Sequence, residues 1–239
     1  MMRQVAINTH ISGKFNMELE NLRNSVLTMG GEVEQQLVDT LKAIKQNNAG
    51  LAEKVILNDL KVNSMEIQID EECLRIIAKR HPTASDLRLI MTISKAITDI
   101  ERMGDEIERI ARLVTKNKLP PSDTITSSML LIGERVGAMM RGTFDAFARQ
   151  DESAALSVYD QDNRIDSEYK KLLTFTTSEM EKTTEDMQDW LEVLWALRSL
   201  ERIGDRCKNV CEYVVYLSRG TDVRHTPLES MQEKLDLLS

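Results

Sequence analysis

Residues 100–111 read I-E-R-M-G-D-E-I-E-R-I-A, and residues 200–211 read L-E-R-I-G-D-R-C-K-N-V-C. Glu101 stands 100 residues before Glu201, and Arg102, Gly104 and Asp105 meet Arg202, Gly204 and Asp205 at the same offset. A duplicated core pattern accounts for Ile100/Leu200, Met103/Ile203 and Ile107/Cys207. It leaves the acids unexplained. Around the first copy, Ile93, Ile97, Ile100, Met103, Ile107, Ile110 and Val114 recur every three or four residues, the spacing of an amphipathic helix. On that helix Glu101 and Asp105 share a face. Like charges four apart destabilise a helix by roughly 0.2–0.5 kcal/mol. Glycine between them costs about 1 kcal/mol against alanine. Both unfavourable choices occur twice, which points to use: carboxylates that hold a cation, and a glycine that lets a neighbouring helix or ligand approach.

The periodicity extends outward into three long helices before the motif ends, and then repeats. The first helix runs from about Met17 to Asn47. Gly30-Gly31 interrupts it, as a kink or as a close helix contact. A turn at residues 47–50 precedes a second helix to about Arg80, read through Val55, Leu60, Val62, Ile67, Ile69, Leu74 and Ile77. Ser85 or Asp86 caps the third, which ends near Lys118. Pro120-Pro121 breaks the pattern, and Ser122 or Asp123 caps the fourth helix. Asp151 caps the fifth, the sixth starts near Glu185, and a tail follows Arg219 with a helical turn at residues 228–238. Val33, Leu37, Thr40, Leu41, Val55 and Val62 match Val136, Met140, Thr143, Phe144, Val158 and Ile165 at an offset of 103.

Short turns make neighbouring helices antiparallel, so each half reads as an up-down-up bundle. The predicted fold is all-α: two tandem three-helix antiparallel bundles related by internal duplication. The expected divisions are an arm at 1–16, a first repeat at 17–118, a linker at 119–123, a second repeat at 124–219 and a tail at 220–239.

Composition agrees. Of 239 residues 41% are hydrophobic and only 4% aromatic, which suits helical bundles better than a sandwich or barrel. A net charge of −8 argues against a nucleic-acid surface. No run is long enough to span a bilayer and the start lacks a signal-peptide core, so a cytoplasmic protein with at most peripheral membrane contact is expected. Cys73, Cys207 and Cys211 read as reduced core thiols, and His10, His81 and His225 as surface residues.

The repeat alignment exposes a second acidic pair. Asp162 and Asp166 on the fifth helix fall over Asp59 and Asn63 on the second. The candidate metal-ligating set is therefore Glu101, Asp105 and Asp59 in the first half, and Glu201, Asp205, Asp162 and Asp166 in the second. All-carboxylate sites suit hard cations. With Asn63 in place of an acid, the second half is expected to bind metal more tightly, unless Glu66, opposite Tyr169, restores the charge.

The duplicated acid motif in two three-helix units resembles the PhoU family. So do residues 84–88, 207–214 and 219–225, and the resemblance covers the chain from about Phe15 onward. It implies a regulator of phosphate homeostasis rather than an enzyme: a negative regulator of the phosphate-starvation response and of phosphate uptake. It further implies metal ions (iron, manganese or magnesium) on the acidic motifs, contact with the cytoplasmic face of a phosphate ABC transporter and with a phosphate-sensing histidine kinase, and a homodimer. A ferritin-like oxidase is excluded because Gly104 and Gly204 stand where a Glu-x-x-His pair needs histidine. Nucleotide-binding glycine motifs are absent, and no serine or cysteine has a histidine partner in the motifs. A purely structural helical adaptor is the remaining alternative.

Overall fold

The computed structural model describes residues 13–120, 122–182, 187–224 and 226. Six helices account for nearly all of them: α1 (Gly13–Gln46), α2 (Ala49–Arg80), α3 (Ala84–Thr115), α4 (Asp123–Arg149), α5 (Glu152–Met180) and α6 (Met187–Arg219). Helices α1–α3 pack on one another, as do α4–α6. This is the expected pair of three-helix bundles. The bundles meet along α3 with α6 and along α1 with α4, and apolar side chains from all six helices form one contiguous core.

The turns repeat as the helices do. Asn48 accepts a hydrogen bond from the Leu51 amide and Asp151 one from the Ala154 amide, each at 3.0 Å. Each cap follows a residue with left-handed backbone, Asn47 (φ 47°) and Gln150 (φ 52°). That conformation reverses the chain within one residue, and the cap then satisfies an orphan amide of the next helix. The α2–α3 turn differs from expectation. α3 begins at Ala84, so Asp86 lies in its first turn, where it accepts from the Thr83 hydroxyl at 2.8 Å. Ser122 precedes α4 without a side-chain cap bond, and α1 starts at Gly13, ahead of Met17. The expected start of α6 at Glu185, Pro121, His10, His225 and the turn at residues 228–238 lie outside the described residues. His81 is exposed, as expected.

Helix α2 departs from its sequence reading in a way that positions the site. Leu60, Ile67 and Leu74 are exposed at 67, 59 and 62%. The buried residues are Ala52, Val55, Asp59, Val62, Ile69, Cys73 and Ile76. Their spacing of three and four is unbroken only if Asp59 and Glu66 occupy core-facing positions. α5 repeats this stripe as Val158, Asp162, Ile165, Tyr169, Leu172 and Thr176. An acid thus stands at the same inward position of both middle helices.

The seam between α3 and α6 is polar where the two motif helices cross. Glu106 accepts from the Ser199 hydroxyl at 2.5 Å and from Arg202 at 3.0 Å. Asp99, 4% exposed, accepts from Arg206, Asn209 and Tyr213 at 3.2, 3.1 and 2.8 Å. Acids from α3 meet donors from α6, so the two halves complement each other rather than themselves.

Candidate functional site

The inward aspartate of each middle helix lies against the glycine of the adjacent motif. A Cβ on Gly104 would stand 2.9 Å from Asp59 Oδ1, and one on Gly204 would stand 2.8 Å from Asp162 Oδ1. Any side chain there would displace a carboxylate. The glycine expected to admit a neighbour does so, and the neighbour is an aspartate of the next helix. Glu101 and Asp105 flank the first contact, Glu201 and Asp205 the second.

In the first half these acids have little compensation. Asp59 is 6% exposed, and its Oδ1 has no hydrogen-bond partner. Burial, then Asp105 and Glu108, push its carboxyl up to about 6, while the Gln36 and Asn63 amides offset part of the rise. Burial, then Asp105, Glu66 and Asp59, raise Glu101 to about 7 against the pull of Arg102. Asp105 is raised too, by burial first and then by Glu108. Glu66 accepts from the Thr98 hydroxyl at 3.0 Å, and Glu108 is bridged by Arg112.

The second half carries its own counter-ions. Lys208 Nζ stands 2.6 Å from Asp162 Oδ2 and 3.0 Å from Asp205 Oδ1. Arg198 stands 2.5 Å from Glu201 Oε1. Burial lowers the Lys208 pKa, but the bonds to both aspartates outweigh it and raise it overall. Burial raises Asp162 and Glu201, opposed by Lys208 and Arg198 respectively. Asp166, half-buried, touches the group through its charge on both. At offset 100, Lys208 falls over Glu108 and Arg198 over Thr98. Counting acids alone made the second half the more anionic. Including these cations reverses that order.

The expected metal centre is corrected. Among the described residues no group of three or more His, Cys, Asp or Glu is placed to hold a metal ion. This removes iron, manganese and magnesium as cofactors of Glu101, Asp105, Asp59, Glu201, Asp205, Asp162 and Asp166. The physical reason differs between halves. Asp162 and Asp205 already share an ammonium. In the first half Asp59 is turned against Gly104, so its carboxylate does not converge with those of Glu101 and Asp105. Sequence reasoning missed Lys208 and Arg198, although extending the repeat alignment past the motif places Lys208 over Glu108. The cysteines are buried and unpaired as expected, with Thr143 Oγ1 3.7 Å from Cys211 Sγ.

No helix among the described residues is long and apolar enough to cross a membrane. The PhoU domain family model matches residues 26–114 and 129–214, one match in each half. The chain is 43% identical over 234 residues to the phosphate-specific transport system accessory protein PhoU of Serratia marcescens, spanning 98% of this chain and 96% of that one. Its fold resembles the crystal structure of PhoU from Pseudomonas aeruginosa with a TM-score of 0.82 and 45% identity, covering 87% of this chain and 100% of that one. It also resembles the phosphate transport system regulatory protein PhoU from Streptococcus pneumoniae, with a TM-score of 0.80 and 30% identity over 87% and 99% of the two chains.

Proposed function

The chain belongs to the PhoU family, and from that premise we propose that it couples a phosphate ABC transporter to a phosphate-sensing histidine kinase. In this reading it reports phosphate sufficiency, keeps the phosphate-starvation response off and restrains uptake. The general role, regulation of phosphate homeostasis, follows from relatives that match nearly the whole chain. Those relatives are named accessory proteins of phosphate-specific transport, and a solved relative a regulatory protein of that system; the chain is likewise not an enzyme. The single observation that carries the reading is the family match in both repeats, with the Glu-Arg-x-Gly-Asp motif present in each.

A cytoplasmic site of action, at the inner face of the transporter, agrees with the lack of a membrane-crossing helix among the described residues. The exposed row Leu57, Leu60, Ile67 and Leu74 on α2 supports an assembly surface, either for a homodimer or for these partners. Residues 17–118 and 124–219 serve as the two repeats. Deleting the gene should leave a phosphate-starvation promoter active in phosphate-rich medium, and the wild-type chain should restore repression. Normal repression in the deletion strain, with no second copy of the gene, removes the reading. Crosslinking in membranes, followed by recovery of transporter or kinase, tests the partners.

A further inference from the structure

The two repeats differ on the outward face of their middle helices. On α2, Leu57, Leu60, Ile67 and Leu74 are 59–67% exposed. At an offset of 103 the same positions of α5 hold Asp160, Asn163, Lys170 and Thr177. The fold therefore does not require apolar residues there. Leu60, Ile67 and Leu74 are seven apart, and with Leu57, Ser64 and Glu71 they alternate steps of three and four, the spacing of a coiled-coil seam. From residue 57 to 74 that seam is about 26 Å long. Its two edges differ in charge. On the α1 side Lys61 bonds Glu32 at 2.6 Å, and Arg75 bonds Glu72 and stands 3.5 Å from Glu18, so both cations are already neutralised. On the α3 side Glu66 accepts from the Thr98 hydroxyl at 3.0 Å and Asp70 from the Ser94 hydroxyl at 2.8 Å, and neither has an ion pair among the described residues. Glu71, in the seam itself, is exposed. Two α3 cations are engaged elsewhere: Lys95 lies over the Tyr216 ring and Arg102 beside Glu101 and Asp105. In the second repeat Tyr169, Leu173 and Thr174 replace Glu66, Asp70 and Glu71. The apolar seam and its acid edge thus occur together, and in the first repeat alone.

We propose that this face docks an amphipathic helix of a partner protein, about five turns long, with aliphatic residues at the same three-four spacing and lysines or arginines beside them. The apolar row supplies the contact area, and the acid edge selects the sign of the partner. A second copy of this chain does not complement the same row. Paired antiparallel, two α2 helices bring their Asp70 edges together. Paired parallel, they set Glu71 against Glu71. Either arrangement places like charges where the contact excludes water, which is costly. An anionic membrane surface fits no better, because its headgroups meet Glu66, Asp70 and Glu71. The proposal deepens the assembly-surface reading of this row given above and rests on it. Its test is a binding measurement on the isolated chain, so its failure leaves the promoter experiment, and the regulatory role, standing.

The test uses the full chain and a fluorescein-labelled synthetic peptide of about 18 residues, with leucines at the three-four spacing and lysines on both flanks. The same peptide with glutamate in place of lysine, and one with its leucines scrambled, serve as controls. Saturable anisotropy with the lysine peptide and none with the controls is expected. Ile67→Lys with Leu74→Thr copies the second repeat at two exposed positions. It should leave the melting temperature unchanged, which shows that it folds, and weaken the lysine peptide by at least about tenfold. Glu66→Gln with Asp70→Asn leaves an amide oxygen to accept from each hydroxyl. It should also weaken the peptide, with a shallower dependence on salt. No saturable binding of the lysine peptide overturns the proposal. So does equal binding of the glutamate peptide, or undiminished binding in either double variant. Sedimentation that finds a dimer in wild type and a monomer in the Ile67/Leu74 variant assigns the face to a second copy, and overturns it too. Anionic vesicles that bind wild type but not that variant assign it to a membrane, with the same result.

Discussion

The ring of Phe144 lies over Gly30, so that a Cβ at residue 30 would stand 3.2 Å from three ring carbons. Leu41 lies over Gly133 in the same manner, and its closest atom is the free end of its side chain. Gly30 and Gly133, like Leu41 and Phe144, are 103 residues apart. The contact is therefore made twice, once in each direction, across the α1–α4 seam. It resolves the Gly30-Gly31 pair. Gly30 is a close-approach position, while Gly31 meets nothing within 4 Å.

The two neighbouring glycines should therefore respond to alanine with opposite signs. Gly31→Ala gains helix propensity without a clash and should stabilise by about 0.5–1 kcal/mol. Gly30→Ala gains the same propensity but must push a packed ring, an overpacking cost of roughly 1–3 kcal/mol. Chemical denaturation of both variants measures the difference. Equal effects would mean that the Phe144 contact does not constrain residue 30.

The bundle count, the turn at residues 47–50, the cap at Asp151 and the close-approach role of the motif glycines were legible in the sequence, because each depends on local spacing or on the duplication. The facing of α2 was not. Its inward stripe contains Asp59 and Glu66, and a reading that follows apolar residues steps off that stripe onto Leu60, Ile67 and Leu74. The carboxylate partners were hidden for a related reason. Lys208 looks like an ordinary solvated charge until Asp162 is seen on the buried face of α5 beside it.

That register is open to test by paired truncations on α2. Val62 is fully buried and Leu60 is 67% exposed. Val62→Ala should cost about 2 kcal/mol from lost burial and the cavity left behind. Leu60→Ala should change stability by less than about 0.5 kcal/mol despite removing more atoms. Urea melts decide between the two readings of the helix. A larger loss at Leu60 would restore the alternative facing.

The contact between Asp59 and Gly104 predicts a reversal of sign. With Asp59 present, Gly104→Ala drives a methyl to within 2.9 Å of its carboxylate and should destabilise by about 1–2 kcal/mol. With Asp59→Ala already made, the same substitution meets no carboxylate and should stabilise by up to about 1 kcal/mol through helix propensity. A double-mutant cycle reads the coupling directly. Additive effects would show that the glycine is retained for some other reason.

The last prediction concerns pH and follows from the uncompensated acids of the first repeat. Asp59 is raised from 3.8 to about 6 and Glu101 from 4.5 to about 7, both chiefly by burial. Asp105 and Glu108 face Asp59 as further acids, with Arg112 as a cation and Gln36 and Asn63 as neutral neighbours, while Asp105, Glu66, Asp59 and Arg102 face Glu101. A carboxylate with a raised folded pKa holds its proton in the native state after the unfolded chain has lost it. Stability from such groups therefore falls as pH rises from the unfolded pKa through the folded one. The opposite holds for Glu18 beside Arg80, Glu32 beside Lys61 and Asp222 beside Arg224, whose pKa values are lowered. Their contribution is lost only as pH drops below the ordinary carboxylate range. The melting temperature should then be higher near about pH 5.5 than near about pH 8, and should drop again in stronger acid. Asp59→Asn removes one of the two raised groups while keeping the side chain's shape over Gly104. It should flatten the slope between those values and leave the acid limb in place. Thermal melts of wild type and variant across the range measure both slopes. An unchanged slope in Asp59→Asn would show that Asp59 is ionised at both ends, with Arg112 and the Gln36 and Asn63 amides compensating its burial.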